Sequence, residues 1–204
     1  MHVSEGIIAP ALLGGSWLAT MAGLVYGMRR TGPAKIPRVA LLSAAFFVVT
    51  FVRIPLGPAH MHLVATGLIG ILLGWSAFPA LFVALLLQAI LFQYGGLAVL
   101  GVNTLIMALP AVTVHYGFRL GVRRGTHARV MWLAGLAGAL AVIGNVLLMA
   151  GFLVGSDPAF AAPALGVLIA HLPLIVVEGV VTALAVSFLY KARPDLLPHM
   201  EMVS

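Results

Sequence analysis

Long apolar runs fill this sequence, and its few charges stand almost entirely between them. Of 204 residues, 62% are apolar and 8% are charged, whereas a soluble domain carries about 25% charged residues. No solvated helix face can be drawn on stretches such as Ile8–Met28 or Val130–Gly155. At about 20 apolar residues per crossing, such runs are the length of membrane-spanning helices. The fold class expected is therefore an all-α membrane protein, one integral membrane domain over residues 1–204.

Seven segments can be read: Ile8–Met28, Val39–Ile54, His62–Trp75, Phe78–Tyr94, Val102–Leu120, Val130–Gly155 and Pro163–Tyr190. The third and fourth are short and separated only by Gly74–Ala77, so hydropathy alone leaves two short spans or one bent unit. The basic residues choose between these. Arg29, Arg30, Lys35 and Arg38 follow the first segment, Arg119, Arg123, Arg124 and Arg129 surround the loop after the fifth, and Lys191 and Arg193 follow the seventh. Counting seven spans puts all of these on one side and leaves only Arg53 near the other. Positive charge stays cytoplasmic, so a seven-transmembrane-helix bundle is expected, with the N-terminus outside and the C-terminus cytoplasmic. The same placement accounts for the net charge of +6 without nucleic acid.

Met1–Gly6 is polar and acidic, unlike the basic n-region of a signal peptide, so Met1 is expected to be the mature N-terminus. Cysteine is absent, which removes disulfides and thiolate metal ligands. Gly15, Ala19, Gly23 and Gly27 recur every four residues along the first segment. Such spacing lets another helix approach closely, either within the bundle or, less simply, from another membrane subunit.

The chain opens Met-His-Val-Ser-Glu-Gly. A metal at His2 meets three nitrogens within two residues: the Met1 amine, the His2 backbone amide and the His2 ring Nδ1. Amine plus amide closes a five-membered chelate ring, and amide plus Nδ1 closes a six-membered one. Adjacent rings of these sizes favour a flat array that one more imidazole completes. Square nitrogen sites suit Ni(II) and Cu(II), and can hold Co(II). Because the amide must lose its proton, binding should weaken as pH falls. His60 and His62, in the stretch Gly-Pro-Ala-His-Met-His-Leu, lie on the same expected face as the N-terminus. In an extended loop residues two apart point the same way, whereas in a helix they diverge. His171, further along a helix, is a weaker candidate. Glu178, deep in the last segment, reads as a buried hydrogen-bonding carboxyl, since bare burial of such a group is costly.

These motifs resemble the CbiM/NikM family, the substrate-capturing (S) membrane components of energy-coupling factor transporters for cobalt and nickel. The likeness rests on "MHVSEG", "HLVATGLIGILLGW", "LLLQAILFQYGGLAVLGVNTLIMAL" and "AHLPLIVVEGVVTALAVSFLYKARPDLL", in matching order over essentially the whole chain. It implies a seven-helix fold whose N-terminus inserts from outside into the metal site. Met1 and His2 would supply three nitrogens, and the histidine of a Gly-Thr-Ser-x-His-Leu pattern the fourth. That pattern lands on His62, followed by Leu63, with Ala59 and His60 at the Thr-Ser positions. His60 is thus an additional candidate ligand that could compete for the metal or recruit it. Asn103, with the loop before it, looks like a cap on the site. Asn103, Glu5 and His171 are candidates for supporting the ligands by hydrogen bonding from behind.

The implied substrate is Co(II) or Ni(II), and the implied location is the plasma membrane of a bacterial or archaeal cell. No G-x-x-x-x-G-K-[ST] motif occurs, so ATP hydrolysis would fall to partners. The resemblance implies a transmembrane coupling (T) component, cytoplasmic ABC ATPase subunits and often a small accessory membrane protein. A membrane hydrolase is disfavoured: there is no H-E-x-x-H, and Ser16, Ser43 and Ser187 stand in no G-x-S-x-G turn. A membrane metal sensor or scaffold without transport is the alternative.

Overall fold

The computed structural model describes residues 3–56, 59–122 and 126–197, and at 53–56 and 59–61 the backbone only. The helices are α1 (Pro10–Arg30), α2 (Ile36–Val49), α3 (Thr66–Leu73), α4 (Ala77–Phe92), α5 (Leu100–Val122), α6 (His127–Ser156), α7 (Ala161–Ala170) and α8 (Leu172–Ala192). A two-stranded antiparallel hairpin, β1 (Arg53–Leu56) and β2 (Ala59–His62), joins α2 to α3. Among the described residues, five helical stretches are long and apolar enough to cross a membrane, with Thr66–Phe92 counted as one; α2 and α7 are shorter.

The molecule is turned inside out relative to a soluble globule. Leu18, Trp132 and Phe188 are 76, 76 and 68% exposed, while Gln88, Asn103, Thr104, Asn145 and Glu178 are buried. In water so continuous an apolar exterior would drive association; against lipid it is the solvated surface. With no hydrophobic force between helices in that setting, close packing of small residues and interhelical hydrogen bonds must hold the bundle. Both are present. A Cβ on Gly70 would stand 2.1 Å from the Ala111 carbonyl, and one on Gly67 would stand 2.5 Å from the Gly138 Cα. The Asn145 amide meets the Thr66 hydroxyl at 2.8 Å, the Ser43 hydroxyl donates to the Ala80 carbonyl at 2.7 Å, and the Gln88 amide donates to the Thr50 hydroxyl at 2.6 Å. Gly23 and Gly27 of the α1 stripe pack on Phe78, Pro79 and the Trp75 carbonyl, so that half of the stripe serves packing within the bundle.

Contacts fix the helix directions. Gly70 meets Ala111 and Gly74 meets His115, so α3 runs parallel to α5. Ser43 meets Ala80 and Thr50 meets Gln88, so α4 runs parallel to α2. Pro110 meets Gly144 and Gly121 meets Leu133, while Gly138 meets Thr182 and His127 meets Ser187, so α6 opposes both α5 and α8. Between α3 and α4 the helix is broken at Gly74, whose φ of +55° and ψ of −126° lie in a region open only to glycine.

Three segment boundaries differ from those read in the sequence. The second was expected to run to Ile54, yet α2 ends at Val49 and Arg53–Leu56 form β1. The third was expected from His62, yet residues through His62 form a strand and the helix starts at Thr66. Ala65, at φ +50°, cannot extend the helix backward. The seventh is interrupted at His171, where α7 hands over to α8. Pro173 lies in the first turn of α8, where its missing N–H breaks no helical bond. Arg29, Arg30, Lys35, Arg38, Arg119 and Lys191 gather at the end where α1 finishes, here the basic end. The hairpin and the 93–99 loop lie at the other, the hairpin end.

Candidate metal centre

The N-terminal segment folds back into the hairpin end of the bundle. Gly6 turns it with φ +82°, and Val3 reaches 2% exposure. Asn103, buried in the first turns of α5, grips Val3 from both sides. Its Oδ1 accepts from the Val3 N–H at 2.9 Å, and its Nδ2 donates to the Val3 carbonyl at 3.1 Å. A primary amide is the one side chain group that offers a donor and an acceptor side by side, so it pairs with a backbone as a neighbouring strand would. Glu5 adds a second tether. Its Oε1 accepts from the Ala98 N–H at 2.9 Å, and the carboxyl lies over Gly96, where a Cβ would come within 2.3 Å of the Glu5 Cγ. Gly96, at φ +116°, is therefore required twice over. Trp17 ties α1 to the same loop and Thr20 ties it to the start of α5, donating to the Ala98 and Gly101 carbonyls at 3.0 and 2.7 Å.

A second clamp holds the chain just after His62. Glu178, buried in α8, accepts from the Val64 N–H in a short hydrogen bond and from the Ala65 N–H at 3.0 and 3.1 Å. This identifies Glu178 as a hydrogen-bonding anchor. His171, just before α8, places its ring Nδ1 2.7 Å from the Val167 carbonyl. His62 is half-buried at the end of β2, with Nδ1 3.2 Å from the Leu63 carbonyl. When Nδ1 carries the proton toward that carbonyl, the ring's lone pair is on Nε2. In the ribbon, position 62 pairs with 53 and position 60 with 55. Positions 60 and 62 therefore fall on one face of an extended chain, the first of the two arrangements the sequence allowed.

Met1 and His2 lie outside the described residues, as does the His60 side chain. Among the described residues, no three His, Cys, Asp or Glu side chains converge as a metal site. Sequence reasoning missed the partners of Glu178, the Val64 and Ala65 amides, and the burial of Val3. The available signal was Glu178 itself, the only acid inside a spanning segment, since intramembrane ionisable groups are functional by default.

Asn103→Asp tests the first clamp. Aspartate keeps the acceptor for the Val3 N–H and faces the Val3 carbonyl with a second acceptor. Leaving that buried carbonyl unpaired costs about 1–3 kcal/mol. Faster hydrogen exchange at the Val3 amide, with the Ala65 amide unchanged, is the expected result.

Comparison with known sequences settles the lineage. A family model, CbiM, described as the cobalt uptake substrate-specific transmembrane region, matches residues 2–196. The chain belongs to the CbiM family. A Haemophilus influenzae protein named for metal transport is 36% identical over the full length of both chains. The cobalt transport protein CbiM of Sorangium cellulosum is 31% identical over 100% of this chain and 97% of its own. The fused nickel transport protein NikMN of Rhodobacter capsulatus is 33% identical, and its match takes in 97% of this chain and 64% of its own length. A crystal structure of a transition metal transporter superposes with a TM-score of 0.77 at 27% identity, over 94% of this chain and 93% of the other. The CbiM family is one of metal-transport membrane components, not of catalysts. This member is a multi-pass membrane protein whose buried interior is built, at the hairpin end, around two backbone clamps.

Proposed function

We propose that this CbiM-family chain captures Co(II) or Ni(II) for import, as the substrate-binding component of an energy-coupling factor transporter. The metal would sit in a square of nitrogens: the Met1 amine, the His2 amide, the His2 Nδ1 and the His62 ring. The grip of Asn103 on Val3 is the observation that carries this reading. It fixes the backbone one residue from His2, inside the bundle. A chelate made of backbone nitrogens needs such fixation, because the ligand geometry is the main-chain geometry. Glu178 does the corresponding service for His62, by anchoring Val64 and Ala65.

Seven crossings, with the N-terminus outside and the C-terminus in the cytoplasm, complete the proposal. The alternating helix directions and the gathering of basic residues at one end support it. At 14 residues, α2 extends only about 21 Å, and α3 is shorter still; the hairpin would fill the outer part of those two crossings. Energy would come from a T component and ABC ATPases. Relatives in which the homologous region is part of a longer fused transport protein support partnership with further components.

Replacing each histidine separately tests the ligand set. His62→Ala is expected to weaken Ni(II) and Co(II) binding by more than about 100-fold, beyond the range of a lost supporting hydrogen bond. His60→Ala should change it by less than about tenfold. Calorimetry on the purified chain distinguishes the two. Loss with His60→Ala and retention with His62→Ala would reassign the fourth nitrogen to His60. Metal uptake by cells carrying partner subunits separates a transporter from a sensor.

A further inference from the structure

The basic end holds a cavity that metal capture does not use. It encloses about 350 Å³ where α1, α3, α5 and the turn after α8 meet. Arg30, Lys35, Arg38 and Arg119 line it, and among the described residues its one carboxylate is Asp195. That carboxylate is already held by Arg193, at 2.9 Å from both Nε and Nη2. Arg38 is occupied too, donating to the Leu72 carbonyl at 3.0 Å and to the Leu196 carbonyl in a short hydrogen bond. Arg119 is different: it is half-buried, and among the described residues its guanidinium has no hydrogen-bond or ion-pair partner. A guanidinium drawn partly out of solvent beside three other cations is costly unless an anion joins them.

The surroundings indicate where that anion comes from. Trp75 donates through Nε1 to the Tyr116 hydroxyl at 2.9 Å and stands edge-on to Tyr26, with ring centroids 4.6 Å apart. Arg30 lies over the Tyr26 ring, 5.1 Å from its centroid, and donates to its hydroxyl at 2.6 Å. Tryptophan and tyrosine collect at the headgroup level of a bilayer, and basic pockets between spanning helices at that level take anionic headgroups.

We propose that this cavity binds a phosphate group, supplied by the headgroup of an anionic phospholipid. Arg119 and Lys35 would face the phosphate, while Arg38 holds α3 and the turn after α8 together at its rim. The proposal does not depend on the metal reading and has its own readout.

The test uses the whole chain in detergent, with phosphatidylglycerol, phosphatidylcholine or inorganic phosphate added, read by native mass spectrometry and by thermal stability. Phosphatidylglycerol should be retained and raise the melting temperature, and phosphatidylcholine should do neither. Arg119→Gln and Lys35→Gln should each weaken phosphatidylglycerol binding about fivefold, the effect of one interfacial cation. Arg129→Gln, an exposed charge outside the cavity, should leave it unchanged. Stabilisation by inorganic phosphate equal to that by the lipid would keep the phosphate site and assign it to a soluble ligand. Equal retention of both lipids, or equal weakening by Arg129→Gln and Arg119→Gln, would overturn the proposal. Two cavity variants guard against misfolding of either one.

Discussion

Placing four residues, Gly-Ser-Gly-Ser, ahead of Met1 is expected to abolish high-affinity Ni(II) and Co(II) binding, with a loss exceeding about 100-fold. The extension alters no side chain and no helix. It converts the Met1 amine into an amide and moves the free amine beyond chelating reach. It also lengthens a segment that Asn103 and Glu5 hold against the bundle. A one-residue extension makes a sharper comparison. It sets a new amine, two amides and the His2 ring in sequence, which is four nitrogens without any second histidine. That variant should still bind Ni(II), and its binding should have become indifferent to His62→Ala. Calorimetry on the two extended chains, each with His62 present or replaced, reads both effects. Undiminished affinity in the four-residue variant would show that the amine is not a ligand and would sink the capture mechanism.

The proposed N-terminal chelate can be read from the sequence alone because its chemistry is local: three nitrogens within two residues need no knowledge of the fold. The bundle was legible for a related reason, since apolar runs and flanking arginines report on lipid contact one segment at a time. What the sequence concealed lies between segments. Nothing local marks Val64 and Ala65 as partners of Glu178, more than a hundred residues away. Nothing marks Val3 as the residue that Asn103 holds. The third segment was read as helical from His62 because its hydropathy is continuous, and hydropathy cannot distinguish a buried strand from a helix over so few residues. The left-handed Ala65 at the start of α3 carries no glycine or asparagine signal. Its conformation is imposed by tertiary contacts rather than by propensity. The break at Gly74 rests on a glycine-only backbone geometry, which hydropathy does not report.

Glu178→Leu is expected to cost about 2–6 kcal/mol, counting about 1–3 kcal/mol for each of two buried amides left without an acceptor. Val64 is fully buried and Ala65 partly so, and Ala65 sits at φ +50°, a conformation that persists only while its surroundings hold it. Stability alone would not show that the clamp serves the metal. Glu178→Gln separates the roles, because glutamine fills the same volume and keeps one acceptor oxygen. Its amide nitrogen must then be directed at a backbone N–H or rotated away, so one of the bonds to Ala65 is lost in either orientation. If Glu178 is only a structural anchor, Glu178→Gln lowers the melting temperature and, well below it, binds metal as the parent does. If Glu178 positions His62, affinity falls by about 10–100-fold at the same temperature, the range for a lost partner behind a ligand. That loss should vanish in a His62→Ala background, where there is no ring left to position. The double-mutant comparison isolates the coupling between a carboxyl in α8 and a histidine on the hairpin. Additive losses in the two variants would confine Glu178 to holding the fold.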